Sequence, residues 1–279
     1  TEIKKLREDF AARPHMFGEG GIQSAHAPAR QVYMSAAVDL LKDTAAPLRI
    51  LEIGSYMGAS LQTWADAAER LYGAETEILC IDPWGDTGAA QYRDKVCGAL
   101  ESQVAYEIFR HNAKLAAARP NISVTGMRAT SREALPFLGE LRFQLIYVDG
   151  GHFYDDTLFD ITECHRLLAP GGIMCGDDLE LQAHQCDYDF LQANKAADFI
   201  AGDDGTEFHP GVTLAVAEFF GKVSAFNGFW AMRKLEGGAY AAVDFKNARG
   251  LLPVHWPGNL QRLARDQIAE TQSLGTLVA

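Results

Sequence analysis

The chain has 279 residues, of which 48% are hydrophobic and 22% are charged, and its formal net charge at pH 7 is −12. This composition is typical of a globular protein with a full core. The acidic balance argues against a nucleic-acid partner, because nucleic-acid phosphates would be repelled. We also expect no membrane partner and a cytoplasmic location, because no apolar run is long enough to span a bilayer and no secretory signal is visible.

The first strongly patterned stretch is a strand, a glycine turn and a helix. Residues 49–53 are mostly apolar, Gly54 and Gly58 bracket a turn, and residues 59–70 carry apolar side chains at helical spacing. A strand that leads through glycines into a helix directs backbone N–H groups toward a ligand. A nicotinamide-binding G-x-G-x-x-G turn would need a glycine where Tyr56 stands. A nicotinamide dehydrogenase therefore remains a weaker alternative.

Four more strands follow, alternating with helices, and a hairpin comes near the end. The strands are predicted at 76–82, 121–126, 143–149 and 173–176, and the hairpin joins 223–226 to 229–233 around Asn227-Gly228. Such alternation predicts an α/β fold with a mostly parallel seven-stranded sheet, helices on both faces and a C-terminal antiparallel hairpin. Ligands of such sheets bind at the carboxyl ends of the strands.

The Glu-x-Gly-x-x-x-Gly spacing resembles motif I of the class I methyltransferases that use S-adenosylmethionine (SAM), which have a Rossmann-like fold. The resemblance implies that SAM binds at this turn. The residues implied are Glu52, Gly54, Ser55, Tyr56, Gly58 and Ser60.

The nucleoside end of SAM is expected after the second and third strands. Asp82 ends the second strand, where an acid accepts hydrogen bonds from ribose hydroxyls. Trp84 follows and is predicted to cover the adenine. In class I methyltransferases an adenine contact comes just after the third strand; Ala129, Thr130 and Ser131 are the candidates, and the sequence does not choose among them.

Three aspartates end two neighbouring predicted strands. Asp149 follows the fourth strand, and Asp177 and Asp178 follow the fifth. Close carboxylates repel one another unless a cation lies among them. An all-oxygen ligand set suits Mg²⁺, with Mn²⁺ or Ca²⁺ as lesser options, and no cysteine–histidine set has zinc spacing.

Three further segments make the family resemblance more specific. They are Val148-Asp149-Gly150-Gly151-His152, Asp177-Asp178 and residues 209–212 (His-Pro-Gly-Val). Together they are similar to metal-dependent small-molecule O-methyltransferases, including macrolide sugar O-methyltransferases and cephalosporin-hydroxylase-like proteins. The resemblance covers about residues 48–234 and implies that Asp149, Asp177 and Asp178 bind the metal. Catechol O-methyltransferases have Asn where this chain has Asp178 and Lys where it has His152, which favours another diol, such as a sugar.

These observations predict a SAM-dependent O-methyltransferase that acts on a hydroxyl of a small molecule with the help of a divalent cation. The cation lowers the pKa of the bound hydroxyl, and His152 takes the proton, with Asp149 as the second catalytic residue. A metal-independent methyltransferase and a catalytically inactive SAM-binding partner subunit remain alternatives.

The chain divides into three predicted regions. Residues 1–47 form an N-terminal helical cap, residues 48–234 form the SAM-binding core with a lid-like insertion at 179–210, and residues 235–279 form a C-terminal helical tail. The sequence leaves open whether the protein is a homo-oligomer.

Overall fold

A computed structural model describes residues 3–5, 7–8, 27–85, 99–202, 205–245, 248–256 and 258–273. Much of the predicted N-terminal cap, residues 9–26, therefore lies outside the described residues. Five parallel strands make up most of the main sheet. They are β1 (Leu48–Ile53), β2 (Thr76–Asp82), β3 (Ile122–Arg128), β4 (Phe143–Val148) and β5 (Leu168–Leu179).

Helices precede, connect and follow these strands. They are α1 (Ala27–Asp39), α2 (Ala59–Ala67), α3 (Val104–Ala117), α4 (Ser131–Ala134), α5 (Tyr154–Leu167), α6 (Tyr188–Asn194), α7 (Pro210–Phe220) and α8 (Gly258–Ser273). No helix in the described part of the chain combines the length and the apolar character that crossing a membrane requires.

The remaining strands are antiparallel. β6 (Ile200–Ala201) and β7 (Glu207–Phe208) form a separate two-stranded sheet, and β8 (Ser224–Phe226), β9 (Gly228–Lys234) and β10 (Tyr240–Ala242) join the main sheet. The main sheet has the order β10-β9-β5-β4-β1-β2-β3, with β8 also paired to β9. The predicted α/β class is confirmed. The sheet has eight strands where seven were predicted, because β10 arises within the predicted helical tail.

The predicted hairpin is also confirmed. β8 and β9 pair through Phe226 and Phe229, and the turn between them has positive φ at Asn227 (54°) and Gly228 (87°). Asparagine followed by glycine adopts this left-handed pair of conformations most easily, which is why the dipeptide marks two-residue hairpins.

The central strands β1 and β4 are buried on both faces, as their apolar sequences predict. Leu48 and Ile50 of β1 belong to a core cluster shared with α1, α2, α3 and α8, whereas Leu51 and Ile53 belong to a second cluster shared with α5 and α7. Successive residues of a strand point to opposite faces, so the two clusters are the two sides of the sheet.

The terminal segments share the core of the sheet. Val32 and Tyr33 of α1 and Ala264 and Ile268 of α8 are buried in the same cluster as Ile50. Within the described residues, the boundaries predicted near positions 47 and 235 therefore do not separate independent cores.

The strand order reverses between β1 and β4. The chain runs from β1 outward to β2 and β3, and then returns to β4 on the other side of β1. Open α/β sheets bind ligands in the crevice at such a reversal, beyond the carboxyl ends of the strands. The turn after β1 and the acid after β4 both lie at this point.

Candidate active site

A solvent-open cleft with a cavity volume of about 130 Å³ lies at the strand reversal. It brings together three parts of the chain: α1, the glycine turn after β1, and the ends of β4 and β5. Its lining includes six residues that the sequence predicted for SAM or the metal. These are Gly54, Ser55, Tyr56, Ser60, Asp149 and Asp177, and the other lining residues are Arg30, Gln31, Met34, Met57, Ala59 and Tyr147.

The turn after β1 has the left-handed backbone that its glycines predict. Gly54 has φ +85°, Tyr56 has φ 42° and Gly58 has φ +81°. A Cβ atom on Gly54 would lie 1.7 Å from the carbonyl oxygen of Asp149. Glycine is therefore required at position 54 first by the close approach of the β1 and β4 ends, before any cofactor is considered.

Glu52 stabilises this turn from the buried side. It is fully buried, and its carboxylate accepts hydrogen bonds from Ser55 Oγ (2.5 Å) and Trp64 Nε1 (3.1 Å). Burial raises the pKa of Glu52, although these donors oppose the shift. Glu52 holds Ser55 at the edge of the cleft, and it does not itself line the cleft.

Asp82 connects the same turn to the end of β2. Its Oδ2 accepts a hydrogen bond from Tyr56 N (2.8 Å) and its Oδ1 accepts one from Trp84 N (2.6 Å). The side chain is nearly buried, and this burial raises its pKa. Asp82 thus fixes the turn, and its contact with a ribose stays a prediction.

Trp84 does not offer a free face to an adenine in this structure. It is fully buried, its ring lies 4.2 Å from that of Phe109 between centroids, and its indole N–H donates to the carbonyl of Tyr56. The predicted adenine contact of Trp84 is therefore not supported. Its ring packs between the turn and α3 instead.

Thr130 and Ser131 lie at the end of β3, at the start of α4. Thr130 forms a capping box with Glu133, in which each side chain accepts a hydrogen bond from the other residue's backbone N–H. Ser131 hydrogen-bonds to the buried carboxyl group of Asp160. Both side chains are half-buried and neither lines the cleft. Whether either contacts adenine stays a prediction.

Two of the three predicted acids face the cleft. Asp149 and Asp177 line it, with the Tyr147 hydroxyl donating to Asp177 Oδ2 at 3.4 Å. Burial, together with the charges of Asp177 and Asp178, raises the pKa of Asp149 well above its ordinary value. Burial also raises the pKa of Asp177, to about 6. This end of the cleft is therefore rich in buried carboxylates.

The counter-charge comes from Arg30 of α1. Its Nη1 lies 2.9 Å from Asp177 Oδ1 and 3.4 Å from Asp178 Oδ1, and its Nη2 lies 2.9 Å from Glu180 Oε1. The first contact is a charge contact without hydrogen-bond geometry, so Asp177 Oδ1 is buried without a hydrogen-bond donor. Nε of the same guanidinium donates to the Asn227 carbonyl at 2.7 Å.

Asp178 turns away from the cleft toward two imidazoles. Its Oδ2 lies 3.1 Å from His152 Nε2, and its Oδ1 lies 3.8 Å from His209 Nδ1. His152 Nδ1 is 2.7 Å from Asp198, and His209 Nδ1 is 3.1 Å from Glu180. Asp178, Asp198 and Glu180 raise the pKa of His152 to about 9 against the opposing effect of burial, whereas its imidazole partners help to lower the pKa of Asp178 to about 2.

The predicted metal ligands Asp149, Asp177 and Asp178 do not fit a Mg²⁺ ion in this arrangement. Mg²⁺ needs near-octahedral oxygen ligands at about 2.1 Å. Asp177 and Asp178 instead share the guanidinium of Arg30, and Asp178 faces histidines. Among the described histidines, cysteines and acids, the ligand atoms that lie within 4.8 Å of one another belong to His152, Asp178 and His209.

Sequence reasoning missed Arg30, Glu180 and Asp198 as site residues and gave His209 no role. Arg30 lies on a helix face that is otherwise apolar and buried, next to Ala29 and Tyr33. A single arginine on such a face was the available signal, since a buried guanidinium needs anionic partners. Nothing local in the sequence indicated which acids these were.

Comparison with known proteins agrees with the fold. Residues 51–179 match a family model described as "Methyltransferase domain". The uncharacterized protein y4gI of Sinorhizobium fredii is 25% identical over 174 residues, which are 62% of this chain. The match covers 17% of y4gI, so the chain spans only a small part of that relative.

Two solved structures are similar to this chain at low identity. The O-methyltransferase NovP is 14% identical with a TM-score of 0.50, and the match covers 75% of this chain and 80% of NovP. CalS11, a TDP-rhamnose 3′-O-methyltransferase of calicheamicin biosynthesis, is 17% identical with a TM-score of 0.43, over 81% of this chain and 86% of CalS11. At these identities the likeness concerns the fold alone. With its glycine turn at the strand reversal, the segment 51–179 is therefore similar in sequence to a methyltransferase domain.

Proposed function

We propose that this protein is a methyltransferase that transfers the methyl group of SAM to a hydroxyl of a small molecule. The observation that carries the proposal is a single cleft, in which the turn after β1 faces Asp149 and Asp177. The turn offers backbone groups to the cofactor, and the carboxylates offer acceptors to hydroxyl groups. Two carboxylates in one wall suit a diol, of which a sugar is an example.

The proposed reaction is an in-line displacement. The acceptor oxygen attacks the methyl carbon, the carbon–sulfur bond breaks, and the electron pair of that bond stays on sulfur, which leaves S-adenosylhomocysteine neutral. The hydroxyl proton moves to the carboxylate of Asp149. The walls of the cleft hold the two reactants in line, which supplies much of the rate enhancement in such reactions.

Asp149 is a better base than His152 in this arrangement. Both ring nitrogens of His152 face carboxylates, Nδ1 toward Asp198 and Nε2 toward Asp178, and its raised pKa of about 9 keeps it protonated at neutral pH. Asp149 lines the cleft, and its raised pKa makes it a stronger proton acceptor than an exposed carboxylate. We therefore assign proton removal to Asp149, in place of His152.

The proposed mechanism assigns no step to Mg²⁺. Arg30 pairs with Asp177 and Asp178, two of the three carboxylates that the sequence predicted as ligands, and it lines the same cleft. This favours the metal-independent alternative for the chemical step. Arg30 and Asp177 then help to position the acceptor.

The test is methyl transfer from SAM with a trideuterated methyl group to a panel of sugars, nucleotide sugars and catechols, followed by product mass. We expect a labelled product in the presence of EDTA, and none from Asp149→Asn. Asp156→Asn, an exposed acid on α5, is the matched control. SAM binding without transfer to any hydroxyl compound would favour the inactive partner subunit, and activity that needs added Mg²⁺ would overturn the metal-independent step.

A further inference from the structure

We propose that His152, Asp178 and His209 form a binding site for a first-row divalent transition metal, next to the cleft and distinct from the predicted all-aspartate magnesium set. The inference stands without the proposed function, because it concerns residues behind the cleft wall. Neither histidine lines the cleft.

The donor atoms are already close enough to share one ion. All three ligand atoms lie within 4.8 Å of one another, and the His152 Nε2–Asp178 Oδ2 distance is 3.1 Å. Two ligands at about 2.1 Å from a metal, as in zinc sites, are separated by about 3.0–3.4 Å. The two imidazole rings meet edge to face, with 4.6 Å between their centroids. Only the His209 Nδ1–Asp178 Oδ1 distance, 3.8 Å, needs a small adjustment.

His152 is oriented by a second carboxylate. Asp198 lies 2.7 Å from His152 Nδ1, which directs Nε2 of the same ring toward Asp178. Glu180 lies 3.1 Å from His209 Nδ1, the nitrogen that also faces Asp178, so Glu180 is a further acid at the site and does not orient that ring from behind. Carboxylates behind histidine ligands are a general feature of metal sites, because they fix the ring and make it a stronger donor.

A glycine at position 211 permits the two segments that carry His152 and His209 to come close together. A Cβ atom on Gly211, in the first turn of α7, would lie 2.4 Å from the carbonyl oxygen of His152. The loop after β4 and the start of α7 therefore pack in direct backbone contact. This contact brings His209 beside His152.

The charge of the cluster favours a divalent ion. Three carboxylates (Asp178, Glu180 and Asp198) face the histidines, and Asp177 precedes Asp178 in the chain. Within the described residues Arg30 is the cation that pairs with Asp177, Asp178 and Glu180. When the ion replaces the proton of His152 and both imidazoles are neutral, these groups carry a net charge of −3, which one divalent ion reduces to −1. The side chains of Asp178, Asp198 and His209 are 11–15% exposed, so water screens this charge poorly.

The ligand types select the metal class. Two imidazole nitrogens with one carboxylate suit Zn²⁺, Mn²⁺, Fe²⁺, Co²⁺ or Ni²⁺, whereas Mg²⁺ prefers oxygen alone. Such an ion would brace the loop after β4, the end of β5 and the start of α7, and thereby hold one wall of the cleft.

The test is calorimetric titration of the whole, EDTA-stripped chain with Zn²⁺ and, separately, with Mg²⁺. We expect one tight Zn²⁺ per chain and Mg²⁺ binding weaker by at least about 100-fold. His152→Gln and His209→Gln should each weaken Zn²⁺ binding by more than about 100-fold, and Asp198→Asn by about 10–100-fold. His184→Gln, an exposed histidine, is the matched control and should leave Zn²⁺ affinity unchanged.

Two further variants separate this site from the all-aspartate set. Asp149→Asn and Asp177→Asn should keep Zn²⁺ affinity within a few-fold. Loss of metal binding in these two variants with retention in His209→Gln would overturn the proposal and restore the aspartate triad. Circular dichroism and SAM affinity show whether each variant is folded.

One measurement needs no variant. Pulsed electron paramagnetic resonance of Mn²⁺ bound to the wild-type chain should show nitrogen couplings from imidazole. A bound Mn²⁺ without nitrogen couplings, or the absence of any stoichiometric Mn²⁺ or Zn²⁺ binding, would overturn the proposal. Both readouts are independent of methyl transfer, so failure of the proposed reaction leaves them interpretable.

Discussion

The guanidinium Nη1 of Arg30 lies 2.9 Å from Oδ1 of Asp177, so that α1 contacts the end of β5 through a buried pair of opposite charges. The same guanidinium reaches Asp178 and Glu180. This contact couples the N-terminal helix to the acids of the cleft. It makes the stability of the fold depend on a residue of the predicted cap.

Replacing Arg30 with methionine should destabilise the protein strongly. The substitution keeps much of the apolar volume but leaves three buried carboxylates without their cation, and removing one partner of a buried charge pair costs about 3–5 kcal/mol. Urea unfolding monitored by circular dichroism measures the loss. Arg132→Met is the control, because Arg132 is half exposed and its pair with Asp156 is worth about 1 kcal/mol or less. Equal losses in the two variants would contradict the role given to Arg30.

The Arg30 contacts also show where sequence reasoning reaches its limit. The turn at Gly54 and the hairpin at Asn227 were predictable, because local backbone conformation dictates the residues there. Arg30 meets Asp177 only after the whole sheet has formed, so no short pattern predicts their contact.

The adenine contact of Trp84 stays a prediction, and the packing of its ring could not be predicted for the same reason. An aromatic residue after a strand is free to cover a ligand only if no other element covers it first. Here Phe109 and Tyr106 of α3 pack against its ring. The docking of α3 is a tertiary event that the sequence near Trp84 does not reveal.

Asp149→Asn should reduce methyl transfer by at least about 100-fold while SAM affinity changes only a few-fold, since a general base contributes about 10²–10⁴ to rate. A base must be ionised, and the pKa of Asp149 is raised well above its ordinary value, so wild-type turnover should rise with pH through that raised pKa. The variant should lose this rise. A pH–rate profile with calorimetric SAM titration checks both statements, and an unchanged profile in the variant would remove Asp149 from proton transfer.

Gly54→Ala should destabilise the fold rather than selectively weaken SAM binding. Its Cβ atom would lie 1.7 Å from the Asp149 carbonyl oxygen, in addition to the strain of φ +85°. Gly73→Ala separates the two effects, because Gly73 has φ +72° and open space around it, so only the strain of about 1–2 kcal/mol applies. We expect the decrease in the free energy of unfolding to be larger for Gly54→Ala than for Gly73→Ala, by about 1–3 kcal/mol or more. Denaturant unfolding measures both, and equal losses would show that the β1 and β4 ends can separate.

Asp160→Asn should stabilise the protein at alkaline pH. Asp160 of α5 is 1% exposed, burial raises its pKa to about 7, and its Oδ1 has no hydrogen-bond partner. Because the folded-state pKa lies above the ordinary value of 3.8, the folded state binds more protons between about pH 4 and pH 7, and stability falls as pH rises through that window.

At pH 8 the ionised, buried carboxylate of Asp160 lowers the free energy of unfolding by up to about 4 kcal/mol, at about 1.4 kcal/mol for each unit by which its pKa is raised. An amide of the same shape removes this cost, keeps an acceptor for Ser131 and should raise the melting temperature at pH 8, with a smaller gain at pH 5. Asp155→Asn, an exposed acid of the same helix, should show no such pH-dependent gain. A gain for Asp160→Asn that is independent of pH would mean that burial of the carboxylate charge is not its cause.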